Sequence, residues 1–217
     1  MNVEPSTLSV ERFVLKMRML PRPRAAFTLI ELLVVVSIIV VLMALAFPAF
    51  RGALDRAKKV QAKNDLTQIV TAINAFYTEY GKYPVVTDDT PITNSGDVFY
   101  ALRAVSNGAN AGDATNPRRI VFMNVPDVRD ITKPRAGIGI DGQFYDPWGT
   151  PYKIAIDGDY DNQIANPYGS GGGAGSDPLR QGVVVRSFGK DIGAGHNGDN
   201  IYRTATGIQS DDVISWQ

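Results

Sequence analysis

The sequence contains no cysteine and a single histidine, His196, among its 217 residues. The absence of cysteine excludes disulfide bridges, thiolate metal sites and cysteine nucleophiles, and one histidine disfavours a histidine-based metal centre. The chain also has no excess of positive or negative charge, because 22 lysines and arginines balance 22 aspartates and glutamates. A neutral chain has no general field that attracts nucleic acid, so we expect no nucleic-acid partner.

A catalytic constellation is lacking as well. The glycine run in residues 169–175 has no following Lys-Ser/Thr pair and does not open a helix, so it predicts a flexible loop rather than a phosphate loop. His196 has no second histidine or cysteine beside it, and the sequence has no Gly-x-Ser-x-Gly elbow. We therefore expect a protein that is not an enzyme.

One long apolar segment is present, in residues 27–50, and its only charged residue is Glu31. About 20 apolar residues in a helix span the hydrocarbon core of a bilayer, so this segment is long enough to anchor the chain in a membrane. A carboxylate inside such a segment is costly, which predicts a functional role for Glu31. Pro48 predicts a kink or locally loosened hydrogen bonds in the helix.

Residues 51–84 are predicted to continue this helix as an amphipathic half. Apolar residues recur there at steps of three and four, the period of one helix face: Leu66, Ile69, Val70, Ile73, Phe76, Tyr77 and Tyr80. Gly81 and Pro84 predict the end of the helix. Basic residues flank the apolar segment on both sides, so the positive-inside rule leaves its orientation open.

Residues 85–217 predict a small antiparallel sheet packed on the amphipathic half of the helix. A short apolar patch in residues 98–105 predicts a helical turn or two. Residues 119–125, 151–156 and 182–188 have the composition of strands. The expected fold class is α+β, with a long N-terminal helix, a small antiparallel β-sheet and irregular C-terminal loops.

An acidic segment follows the second predicted strand. Asp157, Asp159 and Asp161 match the first three ligand positions of an EF-hand loop. The match then fails, because Asn162 replaces the expected glycine and Tyr168 stands where a bidentate glutamate is required. The segment is therefore predicted to be a hairpin turn rich in Asp and Asn.

The start of the apolar segment, AFTLIELL in residues 26–33, resembles the type IV pilin and pseudopilin superfamily. The resemblance implies that residues 1–26 are a basic leader peptide, which a prepilin peptidase removes between Ala26 and Phe27 before methylating the new amine of Phe27. The family usually has glycine where this chain has Ala26, which is expected to slow cleavage. A secretory signal peptide does not fit, since its cleavage point follows the apolar run.

The resemblance also implies roles for two residues of the apolar segment. Glu31 becomes the fifth residue of the mature chain, and Pro48 takes the position of the family's helix-kinking proline. Outside water an unpaired charge is expensive, so the amine of Phe27 is expected to neutralise Glu31 of a neighbouring subunit and set the axial register. The segment is a membrane anchor before assembly and a packing surface in the filament.

Shorter stretches resemble the major pseudopilins of type II secretion systems: residues 64–84, 146–152, 187–191 and 211–216. That branch holds a structural calcium in its C-terminal loop. Carried over by motif, the ligands are Asp191, Asp211 and Asp212, with backbone carbonyls near Ser187. The loop between Asp191 and Asp211 also contains Asp199 and Asn200 as substitutes. The alternative is that these acids solvate an exposed tail.

The resemblance implies a structural subunit of a type II secretion pseudopilus, which polymerises with copies of itself to drive protein export across the outer membrane. Its other partners would be minor pseudopilins and an inner-membrane assembly platform. The chain would cross the inner membrane once, with residues 85–217 in the periplasm.

Two alternatives remain open. A type IV pilin for adhesion, motility or DNA uptake is disfavoured by the absence of cysteine, because many such pilins close a C-terminal loop with a disulfide. A membrane-tethered binding module or hydrolase with a pilin-like anchor is the other.

Overall fold

A computed structural model of the protein describes residues 28–86, 88, 89, 91, 92 and 94–217, with only the backbone of Pro48 and Ala49. The leader, residues 1–26, and the predicted cleavage point between Ala26 and Phe27 lie outside the described residues. The chain divides into two compact units, Met1–Pro48 and Ala49–Gln217.

Helix α1, Leu29–Tyr80, begins in the first unit and continues into the second. Its apolar side chains in the first unit are exposed, from Leu29 at 82% to Val34 at 47%. The helix is long and apolar enough, by length and composition, to cross a membrane. An apolar surface without a covering face is typical of a segment that lies in lipid or packs against other chains.

The part of α1 in the second unit is amphipathic, as its periodicity predicts. Leu66, Ile69, Ile73 and Phe76 are fully buried in the main hydrophobic core. The helix ends at Tyr80, where Gly81 adopts a φ of +67° and donates its N–H to the carbonyl of Tyr77 at 2.8 Å. A left-handed glycine is the usual way to close a helix C-terminus.

In the described part of the chain after α1, two short helical segments occur, α2 at Gly96–Leu102 and a 3₁₀ helix at Gly108–Asp113. Helix α2 confirms the helical turns predicted within residues 98–105, and it buries Val98, Phe99 and Leu102 in the main core.

Among the residues that the structure describes, five short strands form two antiparallel sheets. Strands β1, Gly137–Ile138, and β2, Phe144–Tyr145, pair with each other. Strands β3, Lys153–Ile156, β4, Val183–Ser187, and β5, Val213–Ile214, form a three-stranded sheet in the order β3-β4-β5. The predicted strands at 151–156 and 182–188 are confirmed, and the architecture is the α+β class expected.

The strand predicted at residues 119–125 was wrong. The segment carries buried residues, Met123 and Val125, so its apolar character was interpreted correctly. Its backbone makes no ladder, however, because the N–H groups of Phe122 and Met123 both donate to the carbonyl of Leu102 at the end of α2. The segment is an extended stretch that seals the core without joining a sheet.

The glycine-rich loop of residues 169–175, predicted to be flexible, is packed. The N–H groups of Tyr202 and Arg203 donate to the carbonyl of Gly172. The indole N–H of Trp216 donates to the carbonyl of Ala174 at 2.7 Å, and Ala174 is fully buried. The loop is fixed by these backbone contacts to the C-terminal segment.

Candidate functional site

Glu31 lies in the first turn of α1 and is bonded reciprocally to Thr28. The backbone N–H of Thr28 donates to Glu31 Oε2 at 2.9 Å, and the N–H of Glu31 donates to Thr28 Oγ1 at 3.3 Å. The Thr28 hydroxyl also donates to Oε2 at 2.6 Å. This is a capping box, which satisfies N–H groups that a helix N-terminus leaves unpaired. The Thr-x-x-Glu spacing is the sequence signal for this capping box. From the sequence, Glu31 was predicted only to pair with a neighbouring subunit.

Two other predicted residues of this region stay as predictions. Phe27 is outside the described residues, and of Pro48 only the backbone is described, inside α1. The expected methylation of Phe27 and the kink at Pro48 are therefore untested.

The three predicted metal ligands are brought together by the register of β4 and β5. Ser187 of β4 pairs with Val213 of β5. In an antiparallel pair, the residues after one strand lie beside the residues before the other. Asp191 therefore meets Asp211 and Asp212, and one carboxylate oxygen of each lies within 4.8 Å of the others.

Asp211 and Asp191 hold the backbone of this loop. Asp211 Oδ2 accepts the N–H groups of Lys190 and, at 3.1 Å, of Asp191. Asp191 in turn accepts the N–H groups of Gly193 at 3.0 Å and Asn197 at 2.8 Å.

Gly189 allows the close approach of this turn to Asp211. Its φ is +71°, and a Cβ there would lie 2.5 Å from the Asp211 carbonyl oxygen. A side chain at this position would push the two segments apart.

Asp212 is the buried member of the group, with 3% of its surface exposed. Its Oδ2 accepts the hydroxyl of Tyr168 and, at 2.7 Å, the N–H of Gly195. Its Oδ1 is buried and has no hydrogen-bond partner among the described residues. Burial, together with the charges of Asp211 and Asp191, raises the pKa of Asp212 to about 6. A cation would relieve both the burial cost and the repulsion.

These three carboxylates offer the hard oxygen donors that Ca²⁺ takes in its shell of six to eight ligands. The two predicted substitutes are used elsewhere. Asp199 Oδ1 accepts the N–H groups of His196 and Ile201, and Asn200 donates its side-chain amide to the carbonyl of Pro167.

Ser187 contributes through its side chain to a turn that precedes β3. Asp146 Oδ1 accepts the N–H groups of Trp148, Gly149 and Thr150, which closes the Asp-Pro-Trp-Gly turn. The hydroxyl of Ser187 donates to Asp146 Oδ2 at 2.6 Å, and both residues are fully buried. This bond joins the turn to the end of β4, where the loop that carries Asp191 begins.

A second group of carboxylates, Asp89, Asp157, Asp159 and Asp161, lies beside the start of the β3–β4 connection. From the sequence, Asp157, Asp159 and Asp161 were predicted to belong to a hairpin turn rather than to a metal site, and Asp89 was not predicted at all. Nothing in the local sequence could have identified it, because 67 residues separate it from Asp157.

Comparison with known proteins begins at the N-terminus. Residues 21–47 match the family model described as the prokaryotic N-terminal methylation motif. The type IV major pilin protein PilA of Myxococcus xanthus is 33% identical over 118 residues, which are 54% of this chain and 48% of that pilin. The type IV major alpha-pilin of Moraxella bovis is 36% identical over 64 residues, 30% of this chain and 40% of that pilin.

The type II secretion system core protein G of Aeromonas hydrophila is 27% identical over 156 residues, which are 72% of this chain and 90% of that protein. The methylation motif and these three relatives show that the chain is similar to type IV pilins and pseudopilins. It spans about half or less of the length of the two pilins that it matches. No solved structure gives a significant match.

The similarity to pilins and pseudopilins fits the geometry described above. The methylation motif covers the start of α1 with Glu31, and the exposed apolar part of that helix in the first unit fits a membrane-anchored, pilin-like protein. The family is structural, and its members are typically not enzymes.

Proposed function

We propose that this chain is a structural subunit of a type II secretion pseudopilus, processed by prepilin peptidase before Phe27 and polymerised to drive protein export across the outer membrane. The observation that carries the proposal is the extent of one alignment. The likeness to the Aeromonas core protein G runs through 90% of that protein and so includes the second unit, whereas the pilin alignments cover 48% and 40% of the pilins.

In this proposal the exposed apolar part of α1 first anchors the chain in the inner membrane, with the second unit in the periplasm. After cleavage, the same surface packs against copies of the chain in the filament. The partners are the peptidase, minor pseudopilins, an inner-membrane assembly platform and other copies of the subunit. The role is mechanical rather than enzymatic.

We further propose that Asp191, Asp211 and Asp212 hold a structural calcium ion. The donor set fits, because three carboxylates converge and Asp212 Oδ1 is buried without a partner among the described residues. The cation would neutralise the group and fix the loop between β4 and β5, which has no disulfide to fix it.

A type IV pilin for adhesion, motility or DNA uptake is the second candidate, favoured by the higher identity of the two pilin matches, 33% and 36%. The deciding experiment deletes the coding sequence in the native host and assays secreted proteins and pilus-dependent motility in parallel. Loss of secretion with motility intact supports the pseudopilin. Loss of motility with secretion intact assigns the chain to pili.

The same deletion strain separates a third class, a membrane-tethered binding module or hydrolase. Complementation with a Glu31→Ala chain should not restore secretion if assembly is required. Full restoration by that variant would mean that the second unit acts without a filament.

A further inference from the structure

Four carboxylates from two distant segments meet beside the end of β3. One carboxylate oxygen of each of Asp89, Asp157, Asp159 and Asp161 lies within 4.8 Å of the others. Asp157 directly follows β3, and the other two alternate along the loop after it. Asp89 comes from the connection between α1 and α2, and its Oδ1 accepts the N–H of Gly158 at 2.9 Å.

Gly158 is what allows these two segments to approach. A Cβ at this position would lie 2.4 Å from the carbonyl oxygen of Asp88 and 2.5 Å from its backbone nitrogen. Any side chain would displace the backbone that carries Asp89, because neither contact is compressible. The position of Asp89 in the group is therefore set by backbone packing.

Asp157 supplies the observation that points to a ligand. The residue is 3% exposed, and its Oδ2 accepts the N–H of Asn162 at 2.8 Å. Its Oδ1 is buried and has no hydrogen-bond partner in the part of the chain that the structure describes. A buried carboxylate oxygen without a donor is costly. Burial, and then the neighbouring carboxylates of Asp89 and Asp159, raise the pKa of Asp157.

The structure compensates for the two positions at which the sequence of this loop departs from an EF-hand. Asn162, in place of the glycine, adopts a φ of +61°, a left-handed conformation that asparagine tolerates better than most residues. Tyr168, in place of the bidentate glutamate, is engaged elsewhere, since its hydroxyl donates to Asp212. The carboxylate that position lacks is supplied from outside the loop by Asp89.

We propose that Asp89, Asp157, Asp159 and Asp161 form a second divalent-cation site, of calcium type, separate from the group at Asp191, Asp211 and Asp212. Calcium suits the site better than magnesium, because calcium accepts several carboxylates in a flexible shell, whereas magnesium retains most of its water. The bound ion would tie the connection between α1 and α2 to the end of β3. An affinity on the order of 10⁻⁴ M is typical of extracellular calcium modules.

Tyr160 gives this site an optical signal. It lies between two of the ligands in sequence, and its ring stacks on Tyr83 with centroids 5.6 Å apart and an interplanar angle of 7°. The Tyr83 ring in turn stacks on Tyr77 of α1 at 4.7 Å. A terbium ion bound at the loop should therefore luminesce on excitation of tyrosine.

The test uses the full chain, solubilised in detergent and stripped of metal with a chelator. Bound calcium is counted by equilibrium dialysis, and terbium luminescence is excited through tyrosine. The background protein for this comparison carries Asp191→Asn/Asp211→Asn, which removes two of the three carboxylates proposed to bind calcium near the C-terminus. Adding Asp159→Asn/Asp161→Asn should remove one bound calcium and most of the remaining luminescence. Both of these loop side chains are exposed, so the fold should tolerate the change.

The matched control is Asp130→Asn, an exposed aspartate that accepts the N–H of Thr132 at 2.9 Å in a similar turn. It should leave both readouts unchanged. Tyr160→Phe should keep the calcium and reduce the luminescence. If the loop variant retains the calcium number and luminescence of its background, the loop site is overturned. If the wild-type chain binds one calcium and loses it only in Asp191→Asn/Asp211→Asn, the loop site is overturned and the C-terminal calcium proposal stands. If the chain loses that calcium only in Asp159→Asn/Asp161→Asn, the loop site stands and the C-terminal proposal is overturned.

Discussion

The hydroxyl of Ser187 donates to Asp146 Oδ2 at 2.6 Å, and through this bond the last residue of β4 supports a turn that lies 41 positions earlier in the chain. The same hydroxyl oxygen accepts the N–H of Gly189 at 3.1 Å. One side chain therefore connects the Asp-Pro-Trp-Gly turn to the loop that carries the C-terminal carboxylates.

Ser187→Ala should lower the free energy of unfolding by about 1–3 kcal/mol, because it leaves a buried carboxylate oxygen of Asp146 without its donor. The measurement is thermal unfolding of the full chain in detergent. The exposed Ser170→Ala should change it by less than about 0.5 kcal/mol. Equal effects of the two variants would show that the Ser187 bond contributes nothing.

Removal of calcium should lower the melting temperature of the chain, because a ligand that binds only the native state stabilises it. Asp191→Asn/Asp211→Asn should show a smaller response to chelator than the wild-type chain. Asp130→Asn should respond as the wild type does. A wild-type melting curve that is the same with calcium and with chelator would remove the calcium proposal.

Glu31→Ala should abolish filament assembly without unfolding the second unit, which contains none of the contacts of Glu31 among the described residues. Filaments are scored by electron microscopy of sheared cells. Ser37→Ala, an exposed change in the same apolar segment, should assemble normally.

Thr28→Val separates the two roles that Glu31 has. It removes the hydroxyl of the capping box, at a cost of about 1 kcal/mol, but leaves the carboxylate for pairing with a neighbouring subunit. Assembly should survive it in reduced amount. If Thr28→Val abolishes filaments as fully as Glu31→Ala does, helix capping rather than charge pairing explains the defect.

Processing should yield a methylated Phe27 as the first residue, detected by mass spectrometry of membrane-extracted protein from a host with the peptidase. Ala26→Gly should raise the cleaved fraction, since it restores the residue that the family usually has before the cut. An intact leader in both proteins would contradict the proposed maturation.

Asp65 should make stability depend on pH. Its Oδ2 accepts the hydroxyl of Tyr152 at 2.8 Å, and burial raises its pKa, with the charge of Asp146 adding to the effect. The folded state then binds a proton before the unfolded state does, so the contribution of Asp65 to stability increases as pH falls through the raised pKa. As pH falls through that pKa, the unfolding free energy of the wild type should rise relative to that of Asp65→Asn. A constant difference from pH 7 to pH 4 would contradict this.

The sequence predicted the elements whose pattern extends over several turns or alternations. Helix α1, α2, β3 and β4 all follow from local periodicity and composition. Strand β5 has only two residues, so its pairing with Arg186 and Ser187 leaves no local pattern. Residues 119–125 show the opposite error, because burial gives the same apolar run whether or not the backbone finds a strand partner.

The two acidic groups differ in the same way. Asp191 and Asp211 were predictable as a pair from a family motif, and the register of β4 and β5 then brings them together. Asp89 joins its group because the backbone of Asp88 packs on Gly158, a tertiary contact with no local signature. Likewise, Asp212 is buried and its Oδ2 accepts the hydroxyl of Tyr168, 44 positions earlier in the chain, a contact that no spacing of acids predicts.

Lys190 reaches two parts of the molecule, with its backbone N–H on Asp211 and its ammonium group on Asp55 of α1 at 2.9 Å. Both side chains of the ion pair are exposed, so it contributes little to stability and is screened by salt. Raising the ionic strength should therefore weaken the contact between Lys190 and Asp55, while the backbone hydrogen bonds within the loop persist. The ionic composition of the surroundings would then change how closely Lys190 keeps this loop beside α1.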